Sequence, residues 1–226
     1  VPETLPIFPL QTVLLPGANL PLHIFEPRYR QLTVDLVKGD VPEKRFGVTA
    51  IKNPVTEEID KADQLQAVGC SAVLRQATRL PDGRYDIVTT GERRFRLLDL
   101  DATSAPYLLG TVEWLPDAEI PPAKADRVSS LEQSARAAYR RYCETAWERE
   151  DWTEPGDDTD IANLAHLLAA DCLLPIEDRQ TLLEENRPLH RLRMVYNLLT
   201  REAGIIAALR AVPAPASAFS APMNLN

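Results

Sequence analysis

Histidine, cysteine, serine and paired carboxylates are where chemistry would have to start in this chain, and their spacing offers little. His23, His166 and His190 stand far apart. No His-x-x-x-His spacing exists to put two imidazoles on one helical face around a metal. Cys70, Cys143 and Cys172 are odd in number and contain no Cys-x-x-Cys pair, which removes zinc-knuckle and thioredoxin-type motifs. Each lies among apolar neighbours and is expected to be a reduced core residue. Ser71 falls in a strand pattern and Ser129-Ser130 at a helix start, with no Gly-x-Ser-x-Gly elbow around either. Lys124 near Ser129 has none of the surroundings of a Ser-Lys dyad. Glu57-Glu58, Asp157-Asp158 and Glu184-Glu185 sit in polar loops or at helix ends, whereas acid–base pairs need shielding that separates their pKa values. The nine glycines contain no Gly-x-Gly, so no backbone cradle for a nucleotide phosphate is available. The expectation is a chain that is not an enzyme and carries neither metal nor cofactor.

Two clusters remain as candidates for binding. Glu92-Arg93-Arg94-Phe95-Arg96 is the densest charge run. Alternation sets Arg94 and Arg96 on one face. With Arg75 and Arg79 they could form an anion or polypeptide contact; otherwise Arg93 or Arg94 braces the sheet through Glu26 or Glu92. The second cluster is apolar: Leu14, Leu15, Ile24, Phe25 and Tyr29. These are either core or the lining of a groove for exposed segments of unfolded clients.

The elements that must position these residues change period near Leu115. Before it, the pattern is mostly two. Val68–Arg79 and Tyr85–Thr90 alternate across Leu80-Pro81-Asp82-Gly83, a turn with proline at its second position and glycine to rejoin the ladder. A further strand follows Gly91, with Phe95 and Leu97 on one face. Pro6 and Pro9 confine the segment Leu5–Leu10 to a sheet edge or an entry strand. Pro16-Gly17 turns, Leu20–Phe25 is extended, and Phe46–Ile51 is another strand. Pro27 opens a helix that places Tyr29, Leu32, Leu36 and Val37 on one face and stops at Gly39. Five or more strands with one helix predict a small, partly closed β-barrel or folded sheet over residues 1–116. From Asp126 the period becomes helical. Four helices are expected, the first carrying Leu131 and Trp147, the last Tyr196, Ile205 and Leu209, in a bundle over 117–212. Residues 213–226 form an Ala/Pro-rich tail expected to be disordered.

Composition bounds the partners. The net charge of −8 divides into −2 over residues 1–116 and −6 over 117–226. Neither half has the basic excess of a general nucleic-acid binder. No run approaches the ~18 apolar residues of a membrane span. The first residues lack a basic and then apolar leader pattern. A cytoplasmic setting is expected, and the absent initiating Met suggests a trimmed start.

LPIFPLQTVLLPGANLPLHIFEPRYRQL resembles the opening of the Lon protease N-terminal, or substrate-binding, domain family. The resemblance continues through FGVTAI, the hairpin from Val68 to Leu100, PYLLGTVEWL, and the helices from IANLAHLL to YNLLTRE, covering about residues 4–202 in order. It implies an α+β fold, a β-barrel of the pseudouridine-synthase-and-archaeosine-transglycosylase (PUA-like) type followed by a helical bundle. The ATPase and Ser-Lys protease modules of full-length Lon have no counterpart here, so the chain resembles stand-alone members of the family. The resemblance implies a polypeptide-recognition module, an adaptor for unfolded or partner proteins. The alternative is a nucleic-acid or nucleotide-related binder of PUA-like type.

Overall fold

The computed structural model describes residues 2–53, 55, 58–121, 125–147 and 152–209. The fold is mixed α+β, in two compact units: one runs to Asp117 and the other begins at Ala118.

The first unit is a six-stranded sheet with one α-helix. Its strands are β1 (Glu3–Leu10), β2 (Asn19–Ile24), β3 (Arg45–Ala50), β4 (Val68–Arg79), β5 (Tyr85–Asp101) and β6 (Leu109–Trp114). Their order is β2-β5-β4-β3-β1-β6, with β5 also paired to β6. The expected barrel is therefore not a simple closed one. The sheet coils back through β5, and β2 extends from it paired on one side only. The reason lies in β5, which is one unbroken strand of 17 residues instead of the two segments expected either side of Gly91. Its first part pairs with β2 and its last part with β6, while β4 runs along most of it. A register shift opposite Cys70–Ala72 lets so long a strand bend. Gly91 survives inside it because the Leu15 carbonyl packs where a Cβ would stand.

Strand β1 is an entry strand and not an edge one: it lies inside the sheet despite Pro6 and Pro9. Glu3–Pro6 pair with β6 and Ile7–Leu10 pair in parallel with β3. Each proline thus lies in a half-strand whose ladder runs along one side, and its missing N–H costs nothing on the other. The β4–β5 turn closes through the Gly83 N–H donating to the Leu80 carbonyl at 3.0 Å, with Gly83 at φ 82°. Ile7, Leu65, Phe95, Leu97, Leu108 and Val112 form the core inside the coiled sheet. Helix α1 (Pro27–Lys38) buries Tyr29, Leu32, Thr33 and Leu36, while Val37 is exposed because the helix meets the sheet on a narrower stripe than expected. Gly39 at φ 88° ends it.

In the second unit the described helices are α2 (Ala125–Ala146), α3 (Ile161–Ala170), α4 (Ile176–Glu184) and α5 (Pro188–Leu209). Helix α5 packs against the other three. Its Leu192, Val195, Leu199, Ala203 and Ile206 are buried, whereas Leu209 is exposed and Tyr196 and Ile205 lie on its outer face. Trp147 falls just past the end of α2 and is exposed too. Arginines do much of the joining. Arg179 donates to the Ala169, Ala170 and Cys172 carbonyls at 3.2–3.3 Å, capping the end of α3. Arg136 donates to the carbonyls of Pro155 at 2.6 Å and Gly156 at 2.9 Å, pinning the following loop to α2. Pro122, Lys124, Glu57 and the 213–226 tail lie outside the described residues.

Candidate functional site

The alternation of β2 turns Leu20, Leu22 and Ile24 one way and Pro21 and His23 the other. Phe25, the next residue, continues the outward phase just as the chain must turn into α1. Glu26 is held extended by the proline after it (φ −66°, ψ 137°), so the Phe25 ring is left standing at the strand-to-helix corner, 61% exposed. Beside it is a groove of about 270 Å³ lined by Phe8, Leu10, Leu22, Ile24, Tyr29 and Ile51, among others.

Each wall of that groove is fixed from below. The Phe8 and Tyr29 rings stack at 3.9 Å between centroids and 13° between planes, tying β1 to the first turn of α1. Burial pushes the Tyr29 phenol up to about 12, a shift that Arg28 opposes and Glu26 reinforces. The Arg28 guanidinium lies over the Tyr29 ring at 4.7 Å and donates through Nε to Glu26 at 3.0 Å. On the other side, His23 pairs with Asp86 at 2.7 Å and its ring lies 6.5 Å from that of Phe25. The result is a rigid apolar recess with one free aromatic at its lip and polar pairs around it. That arrangement suits an apolar side chain of a docking segment and offers no nucleophile or acid–base pair.

Of the five apolar residues singled out in the sequence, only Phe25 is exposed. Leu14, Leu15, Ile24 and Tyr29 are buried, Leu15 behind Gly91 and Tyr29 beneath Phe8. Tyr29 and Ile24 still contribute groove wall; Leu14 and Leu15 do not. The structure brings in Phe8, Leu22 and Ile51, which the sequence reading missed. The outward parity of Phe25 along β2 was the available signal.

The arginine cluster is dispersed. Arg94 is 4% exposed and donates to Asp117 at 2.5 Å. Arg93 stacks on Trp114 at 4.0 Å. Glu92 is instead gripped by Arg45 at 3.0 Å and Arg75 at 3.3 Å. Arg96 is exposed, so it and Arg94 share no surface patch. Arg79 lies apart, near Arg30 and Tyr85. This ordering predicts a graded response. Arg94→Met removes the partner of a carboxylate that is itself 25% exposed, so water can recover part of the loss, and about 2–3 kcal/mol of stability is expected to go. Arg93→Met forfeits a surface cation–π contact worth about 0.5–1 kcal/mol. Arg96→Met stays within about 0.5 kcal/mol. Urea titrations of the three variants check the order, and equal effects would contradict it.

Other chemistry-bearing groups are explained by packing or solvent. Cys70, Cys143 and Cys172 are free and buried; burial raises the thiols of Cys70 and Cys143 to about 12 and about 11 and that of Cys172 in the same direction. His166 is buried in α3, while His23 is exposed in its pair with Asp86. Glu58, Asp157, Asp158, Glu184, Ser129 and Ser130 are exposed. Among the described residues no three His, Cys, Asp or Glu side chains are placed to hold a metal. No described helix is long and apolar enough to cross a membrane.

The fold is a coiled six-stranded sheet followed in sequence by helices, with an apolar recess at the β2–α1 corner. Residues 4–201 match the family of the ATP-dependent protease La (LON) substrate-binding domain, and the chain belongs to that family. It is 29% identical over 215 residues to a Lon protease of Anaeromyxobacter dehalogenans, covering 91% of this chain and 24% of that protein. It is 31% identical over 203 residues to Lon protease 1 of Thermus thermophilus, again over 24% of the relative's length. The chain thus spans about a quarter of these relatives, and the match reaches none of their remaining length. A solved Lon N-terminal domain protein from Xanthomonas campestris superimposes with a TM-score of 0.58 at 26% identity, over 86% of this chain and 98% of that one. The N-terminal domain of a Mycobacterium avium complex Lon protease gives a TM-score of 0.63 at 20% identity, over 88% and 98%, and shares the fold.

Proposed function

We propose that this chain is a non-enzymatic polypeptide-recognition module that docks exposed apolar segments of unfolded proteins at the Phe25 groove. The observation that carries the reading is Phe25 itself. A phenylalanine held 61% exposed beside an otherwise buried aromatic recess costs solvation free energy that a bound apolar side chain recovers. Family membership supports polypeptide as the ligand class. On this reading the module works in the cytoplasm, as an adaptor handing clients to a separate protease, and its coiled sheet is a relative of PUA-like barrels. Docking would be reversible. It would draw most of its affinity from one or two buried side chains, as hot-spot recognition does.

Fluorescence anisotropy of a labelled, permanently unfolded polypeptide tests it. Phe25→Asp is expected to weaken binding by about tenfold or more, and as a surface change to shift stability by no more than about 0.5 kcal/mol. Tyr29 is not a suitable second substitution. It is buried against Phe8, so Tyr29→Ala would damage the fold and confound the result. Unchanged client affinity in Phe25→Asp would sink the assignment of this groove.

A further inference from the structure

A second groove, of about 500 Å³ and open to solvent, lies wholly within the helical unit. Its apolar lining comes from Leu131 of α2, Pro188 and Leu189 of α5, and Ile120 and Pro121 of the segment before α2. Arg127 stands one turn before Leu131, and Arg193 one turn after Leu189. That spacing sets each arginine beside an apolar wall residue on the same helical face. Both arginines are exposed, and no ion pair joins either to a described residue.

The other cations at the rim are engaged. Arg187 and His190 both hold Glu185, at 2.8 and 2.5 Å, and Arg187 keeps that carboxyl down at about 2. Glu119 is the one acidic residue of the lining. Two uncommitted guanidiniums therefore flank an apolar floor in the half of the chain whose overall charge is −6. A field of that local sign in an acidic surround favours one kind of occupant.

We propose that this groove binds a short acidic–apolar polypeptide segment. An apolar side chain seats between Leu131 and Leu189, and flanking carboxylates meet Arg127 and Arg193, whose planar forks suit them. The open shape favours a peptide over a small carboxylate, since small-molecule sites enclose most of their ligand. The site goes beyond the Phe25 reading and does not depend on it.

The test uses a labelled short peptide alternating Asp or Glu with Leu or Phe, and a control with every acid replaced by Lys. The native chain is expected to prefer the acidic peptide by about tenfold or more, and R127E/R193E to abolish or reverse that preference, because each substitution turns an attracting charge into a repelling one. Both positions are exposed, and an unchanged circular-dichroism melt confirms that the variant folds. F25D is expected to leave this binding intact while weakening binding of the unfolded client, so the two sites fail separately. Equal affinity for the two peptides would overturn the proposal, as would acidic-peptide binding that survives R127E/R193E. Saturation by octanoate with no peptide binding would overturn the polypeptide assignment.

Discussion

Arg191→Met is expected to destabilise the helical unit by about 2–6 kcal/mol, at about 1–3 kcal/mol for each of the two buried hydrogen bonds removed. Arg191 has no solvent exposure and is among the largest side chains wholly inside the protein. It belongs to the first turn of α5. Its Nη1 donates to the Glu185 carbonyl at 2.7 Å, just past the end of α4, and its Nη2 donates to the Ala162 carbonyl in α3. One guanidinium thus supplies a donor to the carbonyl just past α4 and a second donor to a carbonyl in the first turn of α3, joining the two elements in a dry interior. Methionine matches the length of the stem but leaves those carbonyls without their donor. Loss of helical circular dichroism in urea gives the readout. A shift below about 1 kcal/mol would mean that the carbonyls find other donors or that water reaches them, so the arginine is not the joint described here.

Arg191 also marks the limit of what the sequence disclosed. Its neighbours Leu192 and Val195 were legible as an apolar helical face by period alone. The arginine just before them reads as a solvated charge, because pattern assigns a position to a face and not a terminal group to a distant carbonyl. The same limit scattered the Arg93–Arg96 cluster. Alternation set Arg94 with Arg96, but the register shift in β5 and the Pro116–Asp117 segment that accepts from Arg94 are tertiary facts. The hairpin turn, the start of α1 at Pro27 and its stop at Gly39 were legible because proline and glycine fix backbone angles locally. At the groove, Phe25 stands exposed, whereas the four residues named with it are buried. Hydrophobicity cannot separate exposed from buried, whereas strand parity at Phe25 could have.

Phe95→Ala is expected to cost about 3–5 kcal/mol, now in the sheet unit. Phe95 is fully buried at the centre of the coiled sheet and meets Trp114 edge-on, with centroids 6.4 Å apart and planes at 88°. Its ring tip rests against two bare backbone positions. A Cβ on Gly47 of β3 would come within 2.8 Å of it, and one on Gly69 of β4 within 2.6 Å. The sheet has omitted two side chains to admit one large one, so no neighbour can collapse into the space that alanine leaves. The two glycines then separate by what else they touch. A Cβ at Gly69 would still meet the Val48 carbonyl at 2.5 Å, a backbone atom that cannot give way. At Gly47 the remaining obstacle is the flexible Cδ1 tip of Ile7 at 2.8 Å. Gly47→Ala should therefore cost about 1–3 kcal/mol by overpacking in the native chain, and distinctly less beside Phe95→Ala. Gly69→Ala should remain costly in both backgrounds. A double-mutant cycle of Phe95→Ala with Gly47→Ala is expected to show a favourable coupling of about 0.5–3 kcal/mol. Strict additivity at Gly47 would mean that the ring and the glycine do not share the space, and that the omission of a side chain there serves some other contact.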